Sequence, residues 1–249
     1  MLEFSSFSEE FDRGQEAFVQ LGRPEKIEGI GGILKIPSPR EVVKRTNSNQ
    51  PLYSYEGHDT FCKHLAARLL EEYFKKTGRY KSEHIPKPLG SFNGGYYYEY
   101  AVGGEGWPTS VYTPSYGQEV SVTAEEWGEF TNGFNLYGFS VDHDTANSSD
   151  GRIGKNVIFE EWDESYRDTF KLHERWKRID FGQASMPFNY ERFQSEIQRS
   201  RIDLTKALGE EKYIMLCLSG NFVKNHVLSR KAEEIFAESV LRFRKSMVK

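Results

Sequence analysis

Arg178-Ile179-Asp180-Phe181-Gly182 ends a β-type run on a carboxylate, an aromatic and a flexible glycine. An aspartate at a strand end can hold a metal ion, and it can equally close a hairpin through an Asx-type turn. The residues upstream bear on that choice. Lys155-Asn156-Val157-Ile158-Phe159 places an amide side chain just before a second apolar run, with Asn156 twenty-four residues ahead of Asp180 and Asp150 six residues further back. Amide and carboxylate oxygens are hard donors. Magnesium carried by a nucleotide needs one or two protein oxygens and takes the rest from phosphate and water, so an Asn with an Asp is chemically sufficient.

The chain around this stretch is of ordinary globular composition. It has 249 residues, 37% of them hydrophobic and 14% aromatic, enough to bury a core without staples. Its 33 basic and 37 acidic side chains leave a net charge of −4, which is no polybasic footprint, so no nucleic-acid partner is expected. Cys62 and Cys217 lie far apart in apolar surroundings and read as two reduced thiols. Without an 18-residue apolar run or a signal-like N-terminus, the reading is a soluble cytoplasmic protein with no membrane partner.

The character of the sequence changes near Trp107. Before it, short β-type runs dominate at Lys26 to Glu28, Ile33 to Ile36, Glu41 to Arg45 and Tyr96 to Val102. One helix interrupts them, opening on Asp59, carrying Phe61, Leu65, Leu69 and Tyr73 at helical spacing and ending near Gly78. After Trp107 a helix is expected over Thr123 to Gly138, with Thr123 and Glu126 forming a capping box. A strand pair (Lys155 to Phe159, Arg175 to Phe181) and helices near Tyr190 to Leu208, Glu211 to Leu218 and Ser229 to Met247 follow. The order predicts an α+β chain divided into residues 1–102 and 103–249, with a ligand site in the cleft between them.

Taken in order, these features resemble the protein-kinase-like superfamily, in which a catalytic-loop Asp, an Asn soon after it and an Asp-Phe-Gly beyond two short strands follow one another. The resemblance implies a two-lobed fold with a β-rich N-lobe and a short, mainly helical C-lobe. It further implies a glycine turn, here Gly29, Gly31 and Gly32 within Glu28-Gly29-Ile30-Gly31-Gly32-Ile33. Glu41-Val42-Val43-Lys44 is similar to the family's strand that ends in the phosphate-contacting lysine, with Lys35 as a rival and Lys44 preferred because it follows two β-branched residues. The helix must then supply an inward glutamate. Glu72, seven residues after Leu65 and three after Leu69, falls on the apolar stripe, whereas Glu71 points away from it. Ile85-Pro86-Lys87-Pro88-Leu89-Gly90 leading into Tyr96 to Glu105 looks like the fifth strand and hinge, so Glu99, Tyr100, Ala101 and Val102 would read the adenine edge.

The resemblance implies ATP and Mg2+ as cofactors, with Asp180 and Asn156 as metal ligands and Lys44, held by Glu72, on the phosphates. The expected reaction moves the γ-phosphoryl group to a hydroxyl of a protein or small molecule. The catalytic-loop carboxylate has two candidates: Asp150, by its spacing from Asn156, and Asp144, by its setting in Val141-Asp142-His143-Asp144. The chain also departs from the family. Only 67 residues follow Gly182 and no Ala-Pro-Glu occurs among them, so the long activation segment of eukaryotic protein kinases is missing. That pattern looks more like small-molecule kinases or bacterial effector kinases, the latter delivered into a host cell. Two other readings stay open: a pseudokinase scaffold that binds nucleotide without transfer, and a kinase-fold nucleotidyltransferase.

Overall fold

The computed structural model describes residues 4–13, 17–24, 32–37, 53–92, 95–99, 103–105, 111–113, 118–120, 122–140, 152–153, 157–160, 176–178 and 189–247. It begins with a meander of β1 (Phe4–Arg13), β2 (Ala17–Pro24) and β3 (Gly32–Pro37). Helix α1 (Tyr53–Lys76) leads into β4 (Pro88–Phe92) and β5 (Gly95–Glu99), which complete an antiparallel sheet of order β1-β2-β3-β5-β4. Short strands follow: β6 (Gly103–Glu105), β7 (Val111–Thr113), β8 (Gln118–Val120) and β9 (Val122–Thr123). Beyond them lie α2 (Ala124–Leu136), β10 (Arg152–Ile153), β11 (Val157–Glu160) and β12 (Trp176–Arg178). The chain closes with α3 (Tyr190–Arg199), α4 (Arg201–Leu208), α5 (Glu210–Asn225) and α6 (Arg230–Met247). The class is therefore mixed α+β with antiparallel sheets. No described helix is long and apolar enough to cross a membrane.

Two compact units emerge, and neither is one continuous stretch. The first gathers residues 1–66, 87–100 and 210–249, and the second residues 67–86 and 101–209. In the first, Tyr96 and Tyr98 of β5 pack edge-on against His64 of α1, with ring centroids 5.9 and 5.4 Å away. His58, one and a half turns earlier, meets Phe222 of α5 and Phe236 of α6 edge-on and shares a 2.7 Å hydrogen bond with Ser91 Oγ. Burial lowers its pKa to about 4, so it is a neutral core residue at neutral pH. In the second unit the core is aromatic: Phe74, Phe130, Phe134 and Trp176 stand within 5.0–5.4 Å of a neighbouring ring.

Several helix ends follow their chemistry. Gly78 adopts φ +75° just past the end of α1, as its C-terminal position requires. Asn189 caps α3 by accepting from Arg192 N at 3.0 Å, and Ser229 does the same for α6 through Ala232 N at 3.3 Å. Asp59, expected to open α1, instead lies inside it, buried and paired with Lys63 at 2.8 Å. The helix starts at Tyr53, because an acidic residue with a lysine four positions on is as comfortable within a helix as at its start. Cys62 is a buried free thiol, its pKa raised by burial, and Cys217 is also free and half-buried. The β-runs expected over 26–28 and 41–45 lie outside the described residues.

Gly138 and Gly78 offer a paired test. Both have positive φ, but a Cβ at Gly138 would meet the Asn189 carbonyl oxygen at 2.5 Å, while one at Gly78 meets nothing within 4 Å. Gly78→Ala is expected to cost about 1 kcal/mol, the left-handed penalty alone, and Gly138→Ala roughly twice that or more. Equal losses in urea unfolding would contradict the close approach at 138.

Candidate functional site

β12, which ends two residues before Asp180, is the middle of a small framework. Val157 pairs with Arg178, Ile158 with Lys177 and Phe159 with Trp176 in an antiparallel ladder. β11 therefore begins one residue after Asn156 at the same end of the ladder where β12 stops short of Asp180. On its other edge β11 pairs with β6, Glu160 opposite Gly103 and Ile158 opposite Glu105. The segment immediately after the expected hinge residue Val102 thus joins the same three-stranded sheet, at the opposite end of β11.

β12 is held from behind by the loop after α1. His84 stacks its ring on Trp176 with centroids 3.9 Å apart and planes 10° from parallel, and its Nδ1 donates to the Trp176 carbonyl at 2.9 Å. The Arg178 N–H donates to the His84 carbonyl at 2.6 Å, and Lys177 Nζ to the Glu83 carbonyl at 2.6 Å. Three consecutive residues of the strand are in this way bound to two consecutive residues of the loop. The loop in turn hangs on Glu71. Its fully buried carboxylate accepts from the His84 N–H, from the Ile85 N–H at 3.1 and 3.2 Å, and from Arg68 Nη1 at 3.0 Å. Arg68 also donates to the Ile85 carbonyl at 2.9 Å and to Glu83, which Lys75 reaches at 3.1 Å.

Glu71, not Glu72, is therefore the buried glutamate of α1, which corrects the stripe argument. Glu72 is half-buried and pairs with Lys76 at 2.9 Å, one turn on. Apolar spacing marks an inward face only on a helix that is covered on one side. Residues 59–71 are all buried, Lys63, His64 and Arg68 included, so apolar spacing does not mark the inward side. The signal available in the sequence was Arg68 three residues before Glu71, a pair on one helix face.

The remaining expected residues divide sharply. Lys44, Asp144, Asp150, Asn156, Asp180, Gly29, Gly31, Tyr100, Ala101 and Val102 lie outside the described residues. Gly32 opens β3, opposite Gly22 on one side and Glu99 on the other. Glu99 ends β5, its N–H donating to the Lys87 carbonyl at 2.8 Å and its carboxylate accepting from the Lys87 N–H at 3.3 Å. Lys35 occupies the middle of the sheet, opposite Val19 of β2 and Tyr96 of β5. The sequence signal for it is Ile33-Leu34 just ahead, an apolar pair leading to a lysine, as Val42-Val43 leads to Lys44.

No family model matches the chain, and no curated protein is similar to it in sequence. Among solved structures, it is similar to the Rio2 kinase from Chaetomium thermophilum at 15% identity and a TM-score of 0.44, over 98% of this chain and 74% of that one. The same kinase in its ADP/Mg2+-phosphoaspartate complex is similar at 15% identity and a TM-score of 0.40, over 98% and 72%.

The carboxylates around Arg68 give the fold a pH dependence. Burial raises the Glu71 pKa to about 7 against the pull of Arg68 and the two N–H donors. Between its ordinary value of 4.5 and about 7 the folded chain holds a proton that the unfolded chain has released, so stability falls as pH rises through that window. Glu83 works in the other direction. Burial pulls its pKa up, but the hydrogen bonds and charges of Arg68 and Lys75 prevail and hold it at about 2, so its stabilisation is lost as pH falls from 4.5 toward 2. Glu71→Gln is expected to flatten the slope between pH 4.5 and 7, read by denaturant midpoints. Glu71→Ala, which leaves two buried N–H groups without an acceptor, is expected to cost roughly 3 kcal/mol. A slope unchanged in the Gln variant would remove Glu71 as its source.

Proposed function

We propose that the chain is an ATP- and magnesium-dependent phosphotransferase that moves the γ-phosphoryl group to a hydroxyl of a protein or small molecule. The observation that carries this reading is the sheet β12-β11-β6. Along β11, the end adjoining Asn156 and Asp180 is separated from the end paired with Gly103 by three residue steps, roughly 10 Å at strand rise. That spacing suits a nucleotide whose base lies at the hinge end and whose phosphates lie at the Asn-Asp end.

The donor types fit magnesium, since both are hard oxygens and phosphate would complete the shell. In this reading Asp180 and Asn156 would hold the ion. Bound there, magnesium would supply neutralisation of the charge that develops on the transferring group. Backbone in Glu99 to Val102 reads the base, and Gly29, Gly31 and Gly32 allow close approach to phosphate. The phosphate-gripping lysine is Lys35 or Lys44, and the central strand position of Lys35 favours it. Asp150 or Asp144 accepts the proton of the attacking hydroxyl, so that the oxygen meets phosphorus as an alkoxide-like nucleophile. Glu71 acts at a distance, through the loop that braces β12.

A second reading rests on the chain's own departure from the family pattern, because Asp150 is six residues from Asn156 rather than five and Asp144 is twelve away. A catalytic loop so altered suits a nucleotide-binding scaffold. Incubation with Mg2+ and ATP labelled separately at the α and γ positions separates the readings. Transfer of γ label is expected; α label would mean nucleotidyl transfer, and retained binding with neither label a scaffold. Asp180→Ala is expected to lower turnover by about three orders of magnitude, near 4 kcal/mol of transition-state stabilisation. Lys35→Ala is expected to lower it more than Lys44→Ala, and turnover intact in the Asp180 variant would refute the site.

A further inference from the structure

The second unit contains a cavity of about 690 Å³ that the proposed phosphotransfer does not use. It lies where α1, α2 and α3 meet, in the size range of small-molecule sites. Tyr73 from the last turns of α1 and Tyr137 just past the end of α2 give it an aromatic edge, beside a Phe74 ring that is itself fully buried. Arg79, Arg192 and Arg199 line it as well, against one carboxylate, Glu196. Three guanidinium groups facing one acid leave an excess of positive charge at a concave surface.

Two of the three arginines are anchored in a way that leaves donors available. Arg79 lies over the Phe74 ring, its Cζ 5.6 Å from the centroid, and takes part in no ion pair among the described residues. Arg192 uses Nε to donate to the Leu136 carbonyl at 3.2 Å, which keeps its two terminal amino groups for other partners. Arg199 is committed to Glu196 at 3.1 Å. The helix C-termini that open here would repel an anion through their exposed carbonyls, but several of these are occupied. Tyr73 O accepts from Thr77, Phe74 O from Arg79 and Tyr80, Phe134 O from Tyr137 and Phe139, and Leu136 O from Arg192. Pre-placed guanidinium forks match phosphate oxygens, and ring walls match an apolar body.

We propose that the cavity bounded by α1, α2 and α3 is a binding site for a small aromatic phosphate ester, with Arg79 and Arg192 on the phosphate and Tyr73 and Tyr137 beside the ring. This site shares no residue with the proposed nucleotide site, and its test does not depend on catalysis. Phenyl phosphate titrated into the full chain at low salt, followed by amide NMR shifts, is expected to bind with Kd on the order of a millimolar and to move resonances at residues 73–79, 136–137 and 192–199. Inorganic phosphate and phenol are each expected to bind at least about tenfold more weakly. R79Q with R192Q should weaken binding by about tenfold or more, while E196Q, which removes the opposing charge and releases Arg199, should tighten it several-fold. The E196Q arm has the opposite sign, so loss of fold cannot imitate it. ADP with Mg2+ at saturation should not displace the probe. Affinity unchanged in R79Q/R192Q or lowered in E196Q, inorganic phosphate binding as tightly as the ester, or displacement by ADP would each overturn the assignment.

Discussion

The Glu71 carboxylate is the constraint on which the second unit's arrangement depends. A fully buried acid is tolerable only where donors surround it, and here they come from a guanidinium on the same helix and from two consecutive backbone N–H groups of the following loop. The loop cannot shift without stranding that carboxylate. Because His84 and Glu83 are bound to Trp176, Lys177 and Arg178, the position of β12 is inherited from a helix about a hundred residues earlier in the chain. Burial and pairing oppose one another at this point, which leaves Glu71 with a raised pKa beside an arginine while its neighbour Glu83 is held low by the same arginine.

Such bracing matters for the chemistry proposed here. Phosphoryl transfer asks little of covalent catalysis and much of positioning, so a metal-binding carboxylate must leave its strand at a set place. A three-residue strand has too few ladder bonds to set that place alone. Packing of Trp176 between His84 and the rings of Trp127 and Phe130 supplies the rest. Tyr73 and Phe74, two and three residues beyond Glu71, line the cationic cavity, so one helix contributes both to the bracing and to the cavity wall.

Much of the element order was legible from local chemistry. Gly78 and Gly138 mark helix ends, Ser229 marks a start, and the paired runs around Ile158 and Lys177 form the antiparallel ladder expected of them. The buried glutamate of α1 is not the one that the apolar spacing marks. Apolar periodicity identifies an inward face only when another face is wet, and α1 is dry all round from residue 59 to 71. The choice between Lys35 and Lys44 was open for a different reason: each follows two apolar residues, and strand membership depends on partners distant in sequence.

The sequence by itself determined the mixed α+β class, the helix ends near Gly78 and Gly138, the helix start near Ser229 and the strand pair around Ile158 and Lys177. These are local properties, set by capping, turn formers and residue alternation within a few positions. Only the tertiary structure decided that Glu71 is the buried acid, that Lys35 sits between β2 and β5, and that residues 210–249 join the compact unit containing the first sheet. Burial and pairing are relations between segments, and nothing local to a residue specifies which distant backbone will supply its donor.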